Sequence, residues 1–191
     1  MGHRKATGAY MDAEEYIQKH WVKDLIWRHI AGRRRHHRRL KRCADLMTGS
    51  TFADVGCACG HSTAELAKFH PGNWTGIDFS RTAIERAMME FGDRFNFTYC
   101  GSIERLAGMY DGVVCSEVIE HVRDPAALVE ALKAMTLGTL VVTTPVEVVS
   151  DPGHVRVFTE ESLAAAFPLA KITREGPYWF AVWQRMEAFK R

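Results

Sequence analysis

Long apolar runs are missing from this sequence of 191 residues. No segment approaches the roughly 18 consecutive apolar residues that predict a transmembrane helix. The charged residues at the N-terminus have no apolar stretch behind them, so a secretory signal is not predicted. Ala6 stands where a myristoylation signal needs Ser or Thr. We therefore expect a cytoplasmic protein that does not associate with membranes.

Cysteine pairs with disulfide or zinc-binding spacing are missing as well. Cys57 and Cys59 are too close in sequence for an unstrained disulfide, and Cys43, Cys100 and Cys115 each stand alone. We predict that all five cysteines are small packing residues of an intracellular protein.

The sequence also has no internal repeat, and its excess of positive over negative charge lies at one end. Residues 1–50 contain 12 Lys and Arg against 5 Asp and Glu, whereas the rest of the chain contains 13 against 18. Seven of these cations fall within ten residues: Arg33, Arg34, Arg35, Arg38, Arg39, Lys41 and Arg42. We predict a basic, helical N-terminal extension over residues 1–48 and a globular domain over residues 49–191.

The distribution of apolar residues predicts an α/β fold. Helical spacing is present in residues 12–31 and 33–47, and from residue 51 short apolar runs alternate with helical segments. The predicted strands cover residues 51–55, 73–78, 95–100, 112–115, 139–144, 170–174 and 179–184. The predicted helices between them cover residues 61–69, 81–91, 102–107, 125–135 and 160–167. Such alternation favours a doubly wound, mostly parallel sheet of seven strands.

The last two predicted strands are joined by a link that is too short for a parallel crossover. Gly176 and Pro177 lie at the centre of this link. Parallel neighbours need a connection of about a dozen residues or more. The seventh strand must therefore run antiparallel, which distinguishes this sheet from the plain dinucleotide-binding sheet.

A glycine-rich turn follows the first predicted strand. The nicotinamide fingerprint requires glycines at positions 56, 58 and 61, but this sequence has Gly56, Ala58, Gly60 and His61. Asp54 precedes the turn, where it would repel a pyrophosphate and attract an ammonium group. S-adenosylmethionine carries an ammonium group and no phosphate, so the turn favours this cofactor.

A second acidic residue follows the second predicted strand. Asp78 lies 18 residues beyond Gly60, and a carboxylate at the end of this strand can accept hydrogen bonds from both ribose hydroxyls of an adenosine. Asp78 by itself does not discriminate between adenosine cofactors.

Together these motifs resemble those of the class I S-adenosylmethionine-dependent methyltransferases. The resemblance implies methyl transfer to an oxygen of a small-molecule acceptor, and it implies the cofactor contacts. The residues in contact with the methionine and the ribose would be Asp54, Gly56, Cys57, Ala58, Gly60, Asp78 and Phe79. Ser102 and Ile103 would lie near the adenine, and Ser116 and Glu117 would lie near the sulfonium.

Two residues depart from the family pattern. Ala58 replaces a glycine and should fit if its φ is negative, and Ser102 replaces an aspartate and is a weaker acceptor.

An acidic and histidine-containing stretch follows the fourth predicted strand. Glu117, Glu120 and His121 would face one point on a turn of helix, and His154 follows the fifth strand. These positions resemble RNA 3′-terminal ribose 2′-O-methyltransferases and ubiquinone-pathway O-methyltransferases. Carboxylates and imidazoles together suit Mg²⁺ or Mn²⁺. Alternatively, Glu120 and His121 shape the turn and His154 packs. For a hydroxyl acceptor, the candidate bases are Glu117, His121 and His154.

The basic run leaves several functions open. Phosphate attraction would make RNA a partner of residues 33–42, and the enzyme would then be a metal-dependent RNA ribose 2′-O-methyltransferase. The same run is also compatible with an acidic small acceptor or with a solvated helix. A third alternative is a non-catalytic module that binds the cofactor or RNA. The sequence favours methylation of a small molecule.

Overall fold

The computed structural model describes residues 34–147 and 153–185, which form a seven-stranded sheet in the order β3-β2-β1-β4-β5-β7-β6. The strands are β1 (Thr51–Val55), β2 (Asn73–Asp78), β3 (Asn96–Tyr99), β4 (Tyr110–Ser116), β5 (Thr136–Pro145), β6 (Lys171–Glu175) and β7 (Tyr178–Gln184). The pairs from β3 to β5 are parallel, and β7 is antiparallel to both of its neighbours. The predicted α/β class and the antiparallel last strand are confirmed.

Five helices accompany the sheet in the described part of the chain. They are α1 (Arg34–Asp45), α2 (His61–Phe69), α3 (Arg81–Phe91), α4 (Pro125–Met135) and α5 (Glu160–Ala166), with short 3₁₀ turns at Ile103–Arg105 and Ile119–His121. The helix predicted over residues 12–31 lies outside the described residues. The short helix predicted over residues 102–107 is a single 3₁₀ turn.

Both faces of the sheet are covered because successive side chains of a strand point to opposite sides. Val113 of β4 belongs to a core that includes Leu128 and Leu132 of α4. Val114, the next residue, belongs to a second core that includes Leu40 of α1 and Leu66 of α2. Such two-sided burial explains why the central strands are almost continuously apolar.

Helix α1 is part of the packed fold. Its residues Leu40, Cys43 and Ala44 are buried in the second core, and Met47 follows them there. These positions agree with the helical spacing of apolar residues that the sequence shows in residues 33–47. The boundary predicted at residue 48 stays a prediction, since most of residues 1–48 lie outside the described part.

The start of helix α4 follows the expected capping chemistry. Asp124 accepts a hydrogen bond from the backbone amide of Ala127 at the start of α4, and Pro125 occupies the first turn.

Within residues 34–147 and 153–185, no helix is both long enough and apolar enough to cross a membrane.

Candidate cofactor and acceptor site

The turn between β1 and α2 depends on left-handed backbone conformations. Gly56 and Gly60 have φ values of 81° and 85°. A Cβ atom at Gly56 would lie 2.2 Å from Val118 Cγ2, and one at Gly60 would lie 2.8 Å from Phe97 Cζ. Glycine is therefore required at both positions for conformation and for space.

Ala58 also adopts the left-handed conformation, with a φ of 46°. The expectation that its φ stays negative is wrong. The backbone at this position has a conformation that glycine adopts readily, and an alanine adopts it only at a cost in conformational free energy.

Asp54 is buried at the end of β1 and holds the start of α2. Its Oδ2 atom accepts hydrogen bonds from Ser62 Oγ at 2.7 Å and from Thr63 Oγ1 at 2.8 Å. Burial raises the pKa of Asp54, and the two hydroxyl donors oppose that shift. These bonds tie β1 to α2, a structural role that sequence reasoning did not foresee. The predicted attraction of Asp54 for an ammonium group stays a prediction.

Asp78 links the same turn to the end of β2. Its Oδ2 atom accepts a hydrogen bond from the Ala58 amide, and its Oδ1 atom accepts one from the Ser80 amide, both at 2.8 Å. Burial raises its pKa to about 6. Each carboxylate oxygen can accept a further hydrogen bond, so the group can bind the turn and a pair of hydroxyls together.

The other predicted cofactor residues lie at the same edge of the sheet. Phe79 follows β2, Ser102 and Ile103 follow β3, and Ser116 ends β4. The Ser116 and Thr143 hydroxyls are 2.8 Å apart, which joins the ends of β4 and β5. Carboxyl ends of parallel strands meet at one edge, and ligands of open α/β sheets bind in the crevice there.

Glu117 is paired with an arginine of the basic helix. Its backbone has a φ of 61°, and its Oε2 atom lies 3.2 Å from Arg39 Nη1. The Arg39 guanidinium is buried and stands 4.7 Å from the centre of the Tyr178 ring. Burial raises the pKa of Glu117, and the positive charge of Arg39 opposes the shift.

This ion pair is not saturated with hydrogen bonds. Among the described residues, the buried Nε and Nη1 atoms of Arg39 and the Oε1 atom of Glu117 have no hydrogen-bond partner. Sequence reasoning missed Arg39 as a site residue. The available signal was its position four residues before Cys43, on the apolar side of α1.

A second group brings together three of the four predicted metal ligands. One ligand atom each from Glu120, His121 and His154 lies within 4.8 Å of the others. Glu120 Oε1 is 3.8 Å from His154 Nε2, and the two imidazole centres are 4.6 Å apart. Glu120 is 1% exposed, and its Oε1 atom has no hydrogen-bond partner in the described part of the chain.

Glu117 is separate from this group for a conformational reason. The sequence predicts that Glu117, Glu120 and His121 share a helical turn, but the 3₁₀ turn spans only Ile119–His121. Glu117 precedes it in a left-handed conformation, and its side chain pairs with Arg39.

The pKa of Glu120 is raised well above its usual range. Burial is the larger cause, and the negative charge of Glu117 is the second.

Three of the seven cations of the basic run form ion pairs in the folded chain. Besides Arg39, Lys41 pairs with Asp45 at 2.8 Å, and Arg42 pairs with Glu175 at 2.9 Å. The three exposed arginines of α1 that have no ion pair within the described residues are Arg34, Arg35 and Arg38. Arg33 lies outside the described residues. RNA binding by residues 33–42 stays one of the alternatives that the sequence leaves open.

The sheet order and the turn after β1 define the fold of the class I S-adenosylmethionine-dependent methyltransferases. A sequence profile described as a methyltransferase domain matches residues 26–170. Because that match covers more than half of the sequence, the chain belongs to the methyltransferase-domain family.

Curated relatives are similar over part of the chain. A ubiquinone biosynthesis O-methyltransferase of Ralstonia nicotianae is 32% identical over 136 residues, which are 68% of this chain and 51% of that protein. The protein of that name in Paraburkholderia xenovorans is 35% identical over 96 residues, 47% of this chain and 40% of that protein. The chain thus spans about half the length of the curated relatives it matches.

Solved structures share the fold over nearly the whole chain. Magnesium protoporphyrin IX methyltransferase from Synechocystis PCC 6803, with bound S-adenosylmethionine, gives a TM-score of 0.69 at 17% identity and covers 94% of this chain and 100% of that one. The N-methyltransferase NodS from Bradyrhizobium japonicum, in complex with S-adenosylhomocysteine, gives a TM-score of 0.69 at 20% identity and covers 92% of this chain and 100% of that one. These similarities establish the fold.

Proposed function

We propose that this chain is an enzyme that binds S-adenosylmethionine and transfers its methyl group to an oxygen of a small molecule. The observation that carries the proposal is the position of Asp78, whose buried carboxylate accepts amide hydrogen bonds from the glycine-rich turn and from Ser80. That arrangement presents an anion to ribose hydroxyls at the carboxyl edge of the sheet.

The amino-acid end of the cofactor matches the Arg39–Glu117 pair. S-adenosylmethionine carries a carboxylate and an ammonium group on one carbon, and the pair offers a cation and an anion 3.2 Å apart. A buried polar group without a hydrogen bond costs about 1–3 kcal/mol. Binding would give partners to Arg39 Nε and Glu117 Oε1, which have none among the described residues.

The adenosine end has a weaker acceptor beside the adenine. Ser102 begins the 3₁₀ turn after β3, and Ile103 packs against the core with Phe79. We assign the ribose to Asp78 and the adenine to the surface that Ser102 and Ile103 form.

The similarity to proteins named O-methyltransferases supports oxygen as the acceptor atom. The five free thiols support a cytoplasmic location.

The reaction is an in-line displacement at the methyl carbon. The acceptor oxygen forms the new bond to carbon as the sulfur–carbon bond breaks, and the sulfonium becomes a neutral thioether. A hydroxyl acceptor must lose its proton to a base. In the enzyme without a bound metal ion, we assign this role to His154 or His121, because Glu117 is held by Arg39. Positioning of the two reactants supplies most of the rate enhancement, about 7–11 kcal/mol in favourable cases.

We also propose that Glu120, His121 and His154 bind Mg²⁺ or Mn²⁺. The Glu120 Oε1 atom has no hydrogen-bond partner among the described residues, and this atom and the separation of the three ligand atoms fit a cation with mixed oxygen and nitrogen ligands. A bound ion would attract acceptor hydroxyls and favour their ionised form. Glu117 is assigned to the cofactor, so we leave it out of the metal set.

A metal-chelation experiment tests that assignment. EDTA should lower methyl transfer, Mg²⁺ or Mn²⁺ should restore it, and His154→Ala should lose the response while its affinity for S-adenosylhomocysteine stays within twofold of wild type. Full activity in EDTA would instead assign the two histidines to packing and proton transfer, and would remove the strongest argument for an RNA terminus as acceptor.

The methyl-transfer proposal itself is tested with S-adenosylmethionine carrying a radioactive methyl group. Phenols, catechols and hydroxy acids are offered as acceptors, with a short RNA as a separate arm. We expect label in a small hydroxylated acceptor and none in RNA. Label confined to RNA would overturn the assignment of the acceptor class, and no label with any acceptor would favour the non-catalytic alternative.

A further inference from the structure

Two arginines lie on the same face of helix α1, and only one of them has a carboxylate partner among the described residues. Arg35 lies four residues before Arg39, so both belong to the same face of the helix. Arg39 pairs with Glu117, whereas exposed Arg35 has no ion pair within residues 34–147 and 153–185. A guanidinium therefore stands one helical turn from the Arg39–Glu117 pair.

The contacts of α1 fix the direction in which this face points. Arg39 stacks on the Tyr178 ring, and His36 Nδ1 is 3.5 Å from the Tyr178 hydroxyl. The charge of Arg35 also acts on Glu117 and on Tyr178, as that of Arg39 does. Arg34 and Arg38 are exposed too, but at about 3.6 residues per turn they point roughly 100° or more away from Arg39 around the axis of α1.

We infer that the methyl acceptor carries a carboxylate and that Arg35 binds it. This inference rests on the proposed function. Arg39 is paired with Glu117 and would serve the cofactor, whereas Arg35 has no ion pair among the described residues and is left to bind the acceptor. A single guanidinium matches the one charge and the planar geometry of a carboxylate. A phosphate monoester carries nearly two charges at neutral pH and would need a second cation.

Hydroxybenzoates and the matching hydroxybenzamides test the inference, because the members of each pair are similar in size and shape and differ in the charge of one substituent; comparison of each variant with the wild type removes the intrinsic difference in reactivity. The wild type, Arg35→Gln and the matched control Arg34→Gln are compared in kcat/KM for both members of each pair. We expect the wild type and Arg34→Gln to prefer the acid at least tenfold, and Arg35→Gln to treat acid and amide within twofold. The preference of the wild type should also weaken as salt is added.

Binding provides a second measurement that does not depend on turnover. Each variant is saturated with S-adenosylhomocysteine and titrated with the acid and the amide, after circular dichroism has shown that it is folded. Tighter binding of the acid that is lost only in Arg35→Gln supports the inference.

Equal binding of acid and amide, binding of neither, or equal losses in Arg34→Gln and Arg35→Gln would overturn the carboxylate assignment. Failure of the folded wild type to bind S-adenosylhomocysteine would overturn the proposed function instead. The two failures are therefore distinguishable.

Discussion

Ala58 has a backbone conformation that L-residues adopt at a cost of about 1–2 kcal/mol. We predict that Ala58→Gly leaves the free energy of unfolding almost unchanged, because the relief of this strain offsets the loss of a buried methyl group. Ala64→Gly is the matched control, since Ala64 is equally buried but lies inside α2. Ala64→Gly should lower the free energy of unfolding by more than about 1 kcal/mol. The lower helix propensity of glycine accounts for about 1 kcal/mol, and the loss of the buried methyl group adds to it. Equal losses in urea titrations of the two variants would contradict the strain at Ala58.

Asp78 should make cofactor binding depend on pH. Its carboxyl group is buried and its pKa is raised to about 6. Ribose hydroxyls donate to the ionised form, so affinity should be full above pH 6 and should fall at least tenfold as the carboxyl group protonates towards pH 4.5. The same raised pKa means that the free site loses folding stability as the pH rises from about 4, the ordinary pKa of an aspartate, to about 6, and that the loss is complete above pH 6.

Calorimetric titration with S-adenosylhomocysteine between pH 4.5 and 8 checks the prediction for Asp78. Asp78→Asn should bind weakly at every pH and should lack this dependence. An identical pH profile for Asp78→Asn would assign the titration to another group.

Individual residues were predictable where their type is chemically constrained. The glycine spacing and the acidic ends of two strands led to Gly56, Gly60 and Asp78. The positive φ of Ala58 was not predictable, because an alanine in the sequence gives no signal for a left-handed backbone conformation. The pairing of Arg39 with Glu117 joins residues 78 positions apart, and no local pattern encodes such a contact.

At the scale of elements, the start of α4 offers a clean test of capping. Asp124 accepts a hydrogen bond from the Ala127 amide at 3.0 Å. Asp124→Ala should lower the free energy of unfolding by about 1 kcal/mol, whereas Asp124→Asn keeps an acceptor and should lower it by a few tenths at most. Thermal unfolding followed by circular dichroism measures both. A loss in Asp124→Asn as large as that in Asp124→Ala would show that the cap does not act through its hydrogen bond.

Strands and helices were largely predictable, since apolar periodicity reports burial directly. The differences lie at short segments, where a few hydrogen bonds decide the conformation. Residues 119–121 form a 3₁₀ turn instead of part of a longer helix, which removes Glu117 from the group that Glu120 and His121 form. The basic run was read correctly as a helix, but the ion pairs of Lys41 and Arg42 depend on tertiary structure and could not be read from it.

For the whole molecule, the five cysteines provide a probe of integrity. All are free and buried, and burial raises the pKa of Cys43 to about 12 and that of Cys59 to about 11. Thiolates are the reactive form, so a disulfide reagent at pH 8 should label the folded protein at least a hundredfold more slowly than the denatured protein. The denatured protein should yield five thiols. Fast labelling of the folded protein would contradict the packing of these side chains.

Titration of the folded chain with S-adenosylhomocysteine is the most direct test of the central claim, that the carboxyl edge of the sheet binds this cofactor. We predict saturable binding of one molecule per chain. Asp78→Ala should weaken it by about 1–3 kcal/mol, the range for a lost charge-assisted hydrogen bond. Arg39→Met should weaken it as well, because the carboxylate of the ligand loses its cation. No binding by a wild type shown to be folded, or equal affinity in all three proteins, would contradict the account.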